Sequence, residues 1–137
     1  MIVIDASALT KYVLHEDGWD KVSKCLREMR PLYSVDHVLK ECCNAIWRHT
    51  YIKKLINSTT ALELLRRLLR LVQSQVIVLE PEAMYLNRAL EISLNSGLTI
   101  YDALYIAQAE KYGELLTFDE KQAETAKSMG ITICYLK

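Results

Sequence analysis

Glycine and proline are scarce: the 137 residues hold 4 Gly and 2 Pro. That excludes long flexible linkers and an all-β architecture built on many turns. Neither sign of charge is in excess, since Lys+Arg and Asp+Glu are each 17 and the formal net charge is zero. Binding of nucleic acid by bulk positive charge, as in a histone, is thereby excluded; a local basic rim beside an acidic site is not. No apolar run approaches the ~18 residues of a membrane span. Met1 leads directly into Ile2-Val3-Ile4, with neither the basic leader nor the long apolar core of a secretory signal, so a cytoplasmic protein is the expectation. Cys25, Cys42, Cys43 and Cys134 have no CxxC spacing and no His at zinc-ligand distance. Buried, reduced thiols are expected, with a Cys25–Cys134 disulfide as the alternative if the source is a hyperthermophile. What the chain does have is 51% hydrophobic residues, ample for a core and incompatible with wholesale disorder. One helix-rich domain over 1–137 is expected.

Short apolar runs alternate with amphipathic stretches. The pattern predicts strands over 2–4, 32–35, 76–78, 115–117 and 131–134, and helices over 6–14, 18–29, 36–55, 61–72, 80–95, 99–112 and 119–129. Such alternation indicates a parallel sheet of about four to five short strands with helices on both faces, a three-layer α/β/α architecture. The double-helix insertion after the second strand is the irregular feature. Its segment 61–72 gathers Glu63, Arg66, Arg67 and Arg70 on a narrow polar stripe and covers the rest with leucine. That is more apolar surface than one core needs, and it points to a partner helix or subunit, with burial within the monomer as the equal alternative.

Sites in parallel α/β sheets collect at the carboxyl ends of the strands. Asp5 directly follows the first predicted strand, and Asp119 lies two residues past the fourth. Asp102 sits in the first turn of the helix that runs into that fourth strand. Glu41 is about five residues into the helix leaving the second strand, roughly 7 Å down its axis. His37, Glu41, Asn44 and Arg48 share one face of that helix, opposite Leu39, Cys42 and Ile46. Taken singly, each residue has a plain structural reading. Asp5 caps a helix, Thr99-x-x-Asp102 and Asp119-x-x-Gln122 resemble capping boxes, and a helical Glu is usually solvated. Taken together, Asp5, Glu41, Asp102 and Asp119 would repel one another unless cations neutralised them. A cluster without a matching Lys suits a hard divalent cation, Mg²⁺ or Mn²⁺. The chemistry expected there is phosphodiester hydrolysis, with Asp5 bridging two cations, Glu41 and Asp102 on one and Asp119 on the other or on its water.

The same segments resemble a known family. Ile2-Val3-Ile4-Asp5-Ala6-Ser7 is similar to an apolar strand followed by Asp-x-Ser, and Leu39-Lys40-Glu41-Cys42-Cys43-Asn44-Ala45 to a helix supplying an acidic Glu. Tyr101-Asp102-Ala103-Leu104-Tyr105 matches Asp-x-x-Tyr, and Thr117-Phe118-Asp119 matches Thr-x-Asp. In this order, and over nearly the full chain, they resemble the PIN-domain ribonucleases, especially the VapC-type toxins of prokaryotic toxin–antitoxin pairs. The resemblance implies a PIN-like fold and Mg²⁺- or Mn²⁺-dependent endonucleolytic cleavage of RNA. It also implies a homodimer and a cognate antitoxin that blocks the site. Ser7 and Thr117 would support the acidic centre through their hydroxyls. Arg48 and Asn44 are the substrate-binding candidates, Arg48 for phosphate, while Arg66, Arg67 and Arg70 read as a solvated face.

Other strand-then-Asp classes fit less well. A haloacid-dehalogenase-like phosphatase wants a second Asp where Ser7 stands, and a response-receiver domain wants an acidic pair that is absent. A dinucleotide-binding module needs a glycine-rich first turn, which Asp5-Ala6-Ser7-Ala8 lacks. No Ser-His or Cys-His pair can be placed for His15, His37 or His49, and His37 reads as a helix-start residue. The alternative of another kind is a PIN-like RNA- or protein-binding scaffold with little or no turnover.

Overall fold

The computed structural model describes residues 1–135, so the last two residues of the expected 1–137 span lie outside it. Strand β1 (Ile2–Ile4) leads into helices α1 (Ala6–Leu14) and α2 (Trp19–Glu28), and β2 (Leu32–Val35) into α3 (Val38–Trp47) and α4 (Ser58–Gln73). Then come β3 (Ile77–Glu80), α5 (Leu86–Ser96), α6 (Ile100–Tyr112), β4 (Glu114–Thr117), α7 (Glu120–Ser128) and β5 (Thr132–Tyr135). All strands are parallel, in the order β3-β2-β1-β4-β5. The expected three-layer α/β/α arrangement around a short parallel sheet is what the chain forms.

Residue type explains the sheet. Val3, Ile4, Leu115 and Leu116 are fully buried, because a parallel strand covered on both faces reads as a continuous apolar run. The chain runs from β1 to β2 to β3 towards one edge of the sheet and then back across to β4 beside β1, connections of the kind that are right-handed as a rule. The helices accordingly pack in two groups, α1 with α2, α3 and α4, and α5 with α6 and α6 with α7. The reversal of strand order falls between β1 and β4, and a crevice opens at such a switch point.

Three element boundaries differ from the sequence expectation by three residues or more. The helix predicted over 36–55 is α-helical only to Trp47 and then widens into a π-helical turn, Arg48–Ile52. Thr50 Oγ1 donates to the Ile46 carbonyl at 2.8 Å, which perturbs the regular ladder there. The predicted helix over 80–95 begins only at Leu86. Glu80 instead extends β3, with Asp36 N donating to its carbonyl at 2.9 Å, as a residue preceding a proline favours extended backbone. Its side chain accepts from Tyr85, Gln108, Lys111 and Tyr112, tying the start of α5 and the length of α6 to β3. Finally, α4 starts at Ser58, with Thr60 N donating to the capping Asn57 Oδ1 at 2.8 Å.

Of the α4 leucines only Leu68 is fully buried; Leu64, Leu65 and Leu71 pack partly on the core and Leu62 is 56% exposed. The four cysteines are free thiols, Cys25 and Cys42 buried. Burial raises all of their pKa values, that of Cys42 to about 12, which keeps them protonated and unreactive. Among the described residues no helix is long and apolar enough to cross a membrane.

Candidate active site

The crevice between β1 and β4 is built around Asp5. Extended backbone at the end of β1 turns this residue into the cap of α1, where Asp5 Oδ1 accepts from Ala8 N at 3.0 Å. Ser7 Oγ donates to the same oxygen at 2.7 Å, and Thr117 Oγ1, from the end of β4, donates to Oδ2. Phe118 N donates to Ser7 Oγ, and Asp119 N to Thr117 Oγ1, each at 2.9 Å. The two strand ends are thus stitched together through hydroxyls. Asp5 is fully buried. Burial pushes its carboxyl up to about 7 against the pull of Thr117, Ala8 and Ser7, and the charge of Asp119 pushes it further up.

Glu41, Asp102 and Asp119 line an open cleft of about 780 Å³ above Asp5. Asp102 is set in the first turn of α6, where its N–H donates to Thr99 Oγ1 at 3.3 Å. Burial raises its pKa, the neighbouring Gln122 amide lowers it, and the charges of Asp119 and Glu41 raise it again. Asp119 caps α7, with Gln122 N donating to its Oδ1 at 2.8 Å. Helix capping and site geometry are therefore both satisfied at Asp5 and Asp119. Burial works against ionised Glu41, but His37 and Tyr105 outweigh it and hold the carboxyl below its usual range. Tyr105 OH donates to Glu41 Oε1 at 2.6 Å, and His37 Nε2 lies in close contact with the same oxygen.

The cleft also takes Asn44 from α3, Arg48 from the start of the π-helical turn that follows it, and Ser7 from α1. Asp5 and Thr117 are fully buried and do not line the cleft, so of the four expected carboxylates only Glu41, Asp102 and Asp119 do.

Comparison with known proteins shows the family and the fold. The PIN domain family model matches residues 2–128. Ribonuclease VapC3 of Pyrobaculum aerophilum is 30% identical over 90% of this chain and 92% of its own. The chain belongs to the PIN-domain family, in its VapC branch. Exonuclease VapC9 of the same organism is 26% identical, covering 93% of this chain and 86% of its own. The crystal structure of PAE2754 from Pyrobaculum aerophilum superposes with a TM-score of 0.66 at 28% identity, covering 97% of this chain and 92% of that one.

Several residues of this PIN domain's cleft were missed from sequence. Lys11 and Lys40 join Arg48 in its walls. The signal for the cations was spacing: Ser7 and Lys11, and Lys40, Asn44 and Arg48, recur at four-residue intervals on one helix face. His37 does start α3, but its side chain is buried against Glu41 and its ring stacks on Tyr101. Gln122 is buried in the cleft wall with Oε1 unpartnered. Both had a local signal, His37 the four-residue spacing to Glu41 and Gln122 the Asp119-x-x-Gln122 capping pattern, but neither pattern says that the side chain is buried at the cleft.

Among the described residues, no group of acidic, His or Cys side chains forms a ready-made cation cage. The donor chemistry nevertheless fits a hard cation that retains part of its water. Carboxylates of Glu41, Asp102 and Asp119 share the cleft with Gln122, whose amide oxygen is buried without a partner. Such a buried acceptor calls for a water or an ion.

Proposed function

We propose that this PIN domain is a divalent-cation-dependent endoribonuclease, the toxin of a toxin–antitoxin pair. The carrying observation is the meeting of Glu41, Asp102 and Asp119 in one cleft above buried Asp5, at the switch point of the sheet. Two relatives bearing ribonuclease and exonuclease names support the same chemistry.

In this reading Glu41, Asp102 and Asp119 hold Mg²⁺ or Mn²⁺, directly or through water, and Asp5 joins them once it is ionised. The bound cation supplies an activated water and neutralises phosphate charge. Ser7 and Thr117 keep Asp5 oriented; Tyr105 and His37 orient Glu41. Lys11, Lys40 and Arg48 draw the phosphate backbone over the acidic floor, and neither Lys40 nor Arg48 has an ion-pair partner among the described residues. Asn44 adds a neutral donor between them.

The homodimer and antitoxin belong to the same proposal. Leu86, Leu90 and Leu94 are 44%, 52% and 77% exposed at four-residue intervals on α5, an apolar stripe that favours a protein partner. A cytoplasmic location accords with the free thiols.

The test is cleavage of labelled single-stranded RNA by metal-stripped protein, with Mg²⁺ or Mn²⁺ restored, beside Asp5→Asn and Asp102→Asn. Cleavage that requires the cation and vanishes in both variants is expected. Equal behaviour of wild type and variants would reduce the carboxylates to caps and leave the scaffold reading.

A further inference from the structure

Tyr101 occupies an unusual place for a large aromatic residue. It is 57% exposed, although the residue after it, Asp102, faces the acidic cleft. Its ring stacks on His37 with centroids 5.2 Å apart and planes 26° apart. His37 is buried and packs in turn against Tyr105, at 5.7 Å and 40°. Both inner rings meet the same carboxylate: Tyr105 donates its hydroxyl to Glu41, and His37 lies in close contact with it. The result is an aromatic ladder climbing from the core to the cleft rim, with its last rung outside. Among the described residues Tyr101 has no other ring against it and no hydrogen bond from its phenol. Its side chain is exposed and lines the cleft.

We propose that Tyr101 is a base-stacking platform, which receives the nucleobase of a nucleotide next to the phosphate held over Glu41, Asp102 and Asp119. This rests on the ribonuclease reading for the phosphate, and adds to it how a single strand is gripped. An exposed aromatic face is costly to leave in water, and every nucleobase offers a complementary π-face. The platform is ordered in advance by His37, so little side-chain freedom is lost when a base arrives. Duplex RNA keeps its bases stacked inside the helix and cannot present one to Tyr101. The platform therefore selects unpaired RNA, tolerating any base while favouring those that stack best. Tyr101 acts in binding and not in proton transfer, so its loss belongs in KM with kcat nearly unchanged.

The experiment measures binding and turnover separately. A short, unstructured, fluorescein-labelled RNA is titrated by anisotropy in the presence of EDTA, using wild type, Tyr101→Leu and Tyr101→Trp. A series of the same RNA carries one abasic nucleotide at each position in turn. Tyr101→Leu is expected to weaken binding roughly 5- to 150-fold, the equivalent of about 1–3 kcal/mol, while Tyr101→Trp retains it. At one position the abasic substitution should weaken wild type by a similar factor and leave Tyr101→Leu no weaker still. Unchanged affinity of Tyr101→Leu overturns the proposal, as do abasic penalties that simply add to it at every position. So does a change in sedimentation mass without a change in RNA affinity, which would make this face a protein interface. Cleavage of the same RNA with Mn²⁺ separates the two readings. Wild type that binds through Tyr101 but cuts nothing defeats the nuclease and keeps the platform; normal cutting and binding by Tyr101→Leu does the reverse.

Discussion

The hydroxyl of Tyr105 donates to Glu41 Oε1 at 2.6 Å across 64 positions of sequence, joining α6 to α3 over the head of the cleft. Tyr105 is fully buried, so Tyr105→Phe keeps the packing and removes only the donor. Loss of a hydrogen bond to a charged group costs about 1.5–3 kcal/mol, which urea denaturation would register as a lower midpoint at unchanged slope. Groups that orient a metal-binding carboxylate typically contribute about 10–100-fold in affinity or activity, and a fall in kcat/KM of that order is expected. Full activity in a destabilised Tyr105→Phe would show that Glu41 needs no orienting from this side.

Asp5 makes the cation-free protein sensitive to alkali. Its carboxyl is raised from 3.8 in the unfolded chain to about 7 in the fold. Between those values the folded state holds a proton that the unfolded state has released, so stability falls as pH rises through the interval and stays low above it. Asp5→Asn cannot ionise and still offers an oxygen to Ser7 and to Ala8 N. In EDTA it is expected to unfold at a higher temperature than wild type at pH 8, and at a similar one at pH 4. The same variant should have no nuclease activity. Parallel melting curves for the two proteins across this range would mean that Asp5 titrates as an ordinary carboxylate.

Much of this arrangement could be read from the chain. Ile2–Ile4 and Leu32–Val35 were legible because doubly covered parallel strands leave unbroken apolar runs, and Asp5 and Asp119 because strand ends share one edge. Helical periodicity sufficed to put Asn44 and Arg48 on the face of Glu41. The four-residue spacing already put His37 on the face of Glu41, but the partnership of Glu41 with Tyr105 was not legible, since it depends on how α3 and α6 meet, and no local pattern encodes that meeting. Glu80 was misplaced for a different reason. Periodicity drew it into the following helix, although Pro81 already argued for extended backbone.

Gly18 supports the site from outside. Its φ is +99°, and a Cβ there would meet the Phe118 ring at 2.8 Å. Phe118 stands between Thr117 and Asp119, and its N–H donates to Ser7 Oγ. Gly18→Ala therefore combines left-handed strain, about 1–2 kcal/mol, with displacement of the turn that aims Asp119. The expected outcome is a lower melting temperature together with lower kcat. Gly97→Ala, with a φ of +78° and nothing near its would-be Cβ, is the control: similar backbone strain without the clash. If both variants lose activity equally, Phe118 has no part in placing Asp119.

Cation binding should be linked to protons in a direction set by the carboxylates. Asp5 is raised to about 7, and burial raises Asp102 above its ordinary value. A cation must displace these protons, so its affinity should increase as pH rises from 6 to 8. At a cation concentration about 100 times Kd, binding to the folded state adds about 2.7 kcal/mol. For a chain of this size that corresponds to a melting shift of roughly 10 °C. Mn²⁺ added to the stripped protein is expected to give a shift of this order at pH 8 and a smaller one at pH 6. Asp102→Asn should diminish it at both pH values. Calorimetry in buffers of different ionisation enthalpy would count the protons released, with more released at pH 6 than at pH 8. The absence of a shift at either pH would remove the cation from the proposed chemistry, whereas equal shifts at both would leave the cation bound without titrating Asp5.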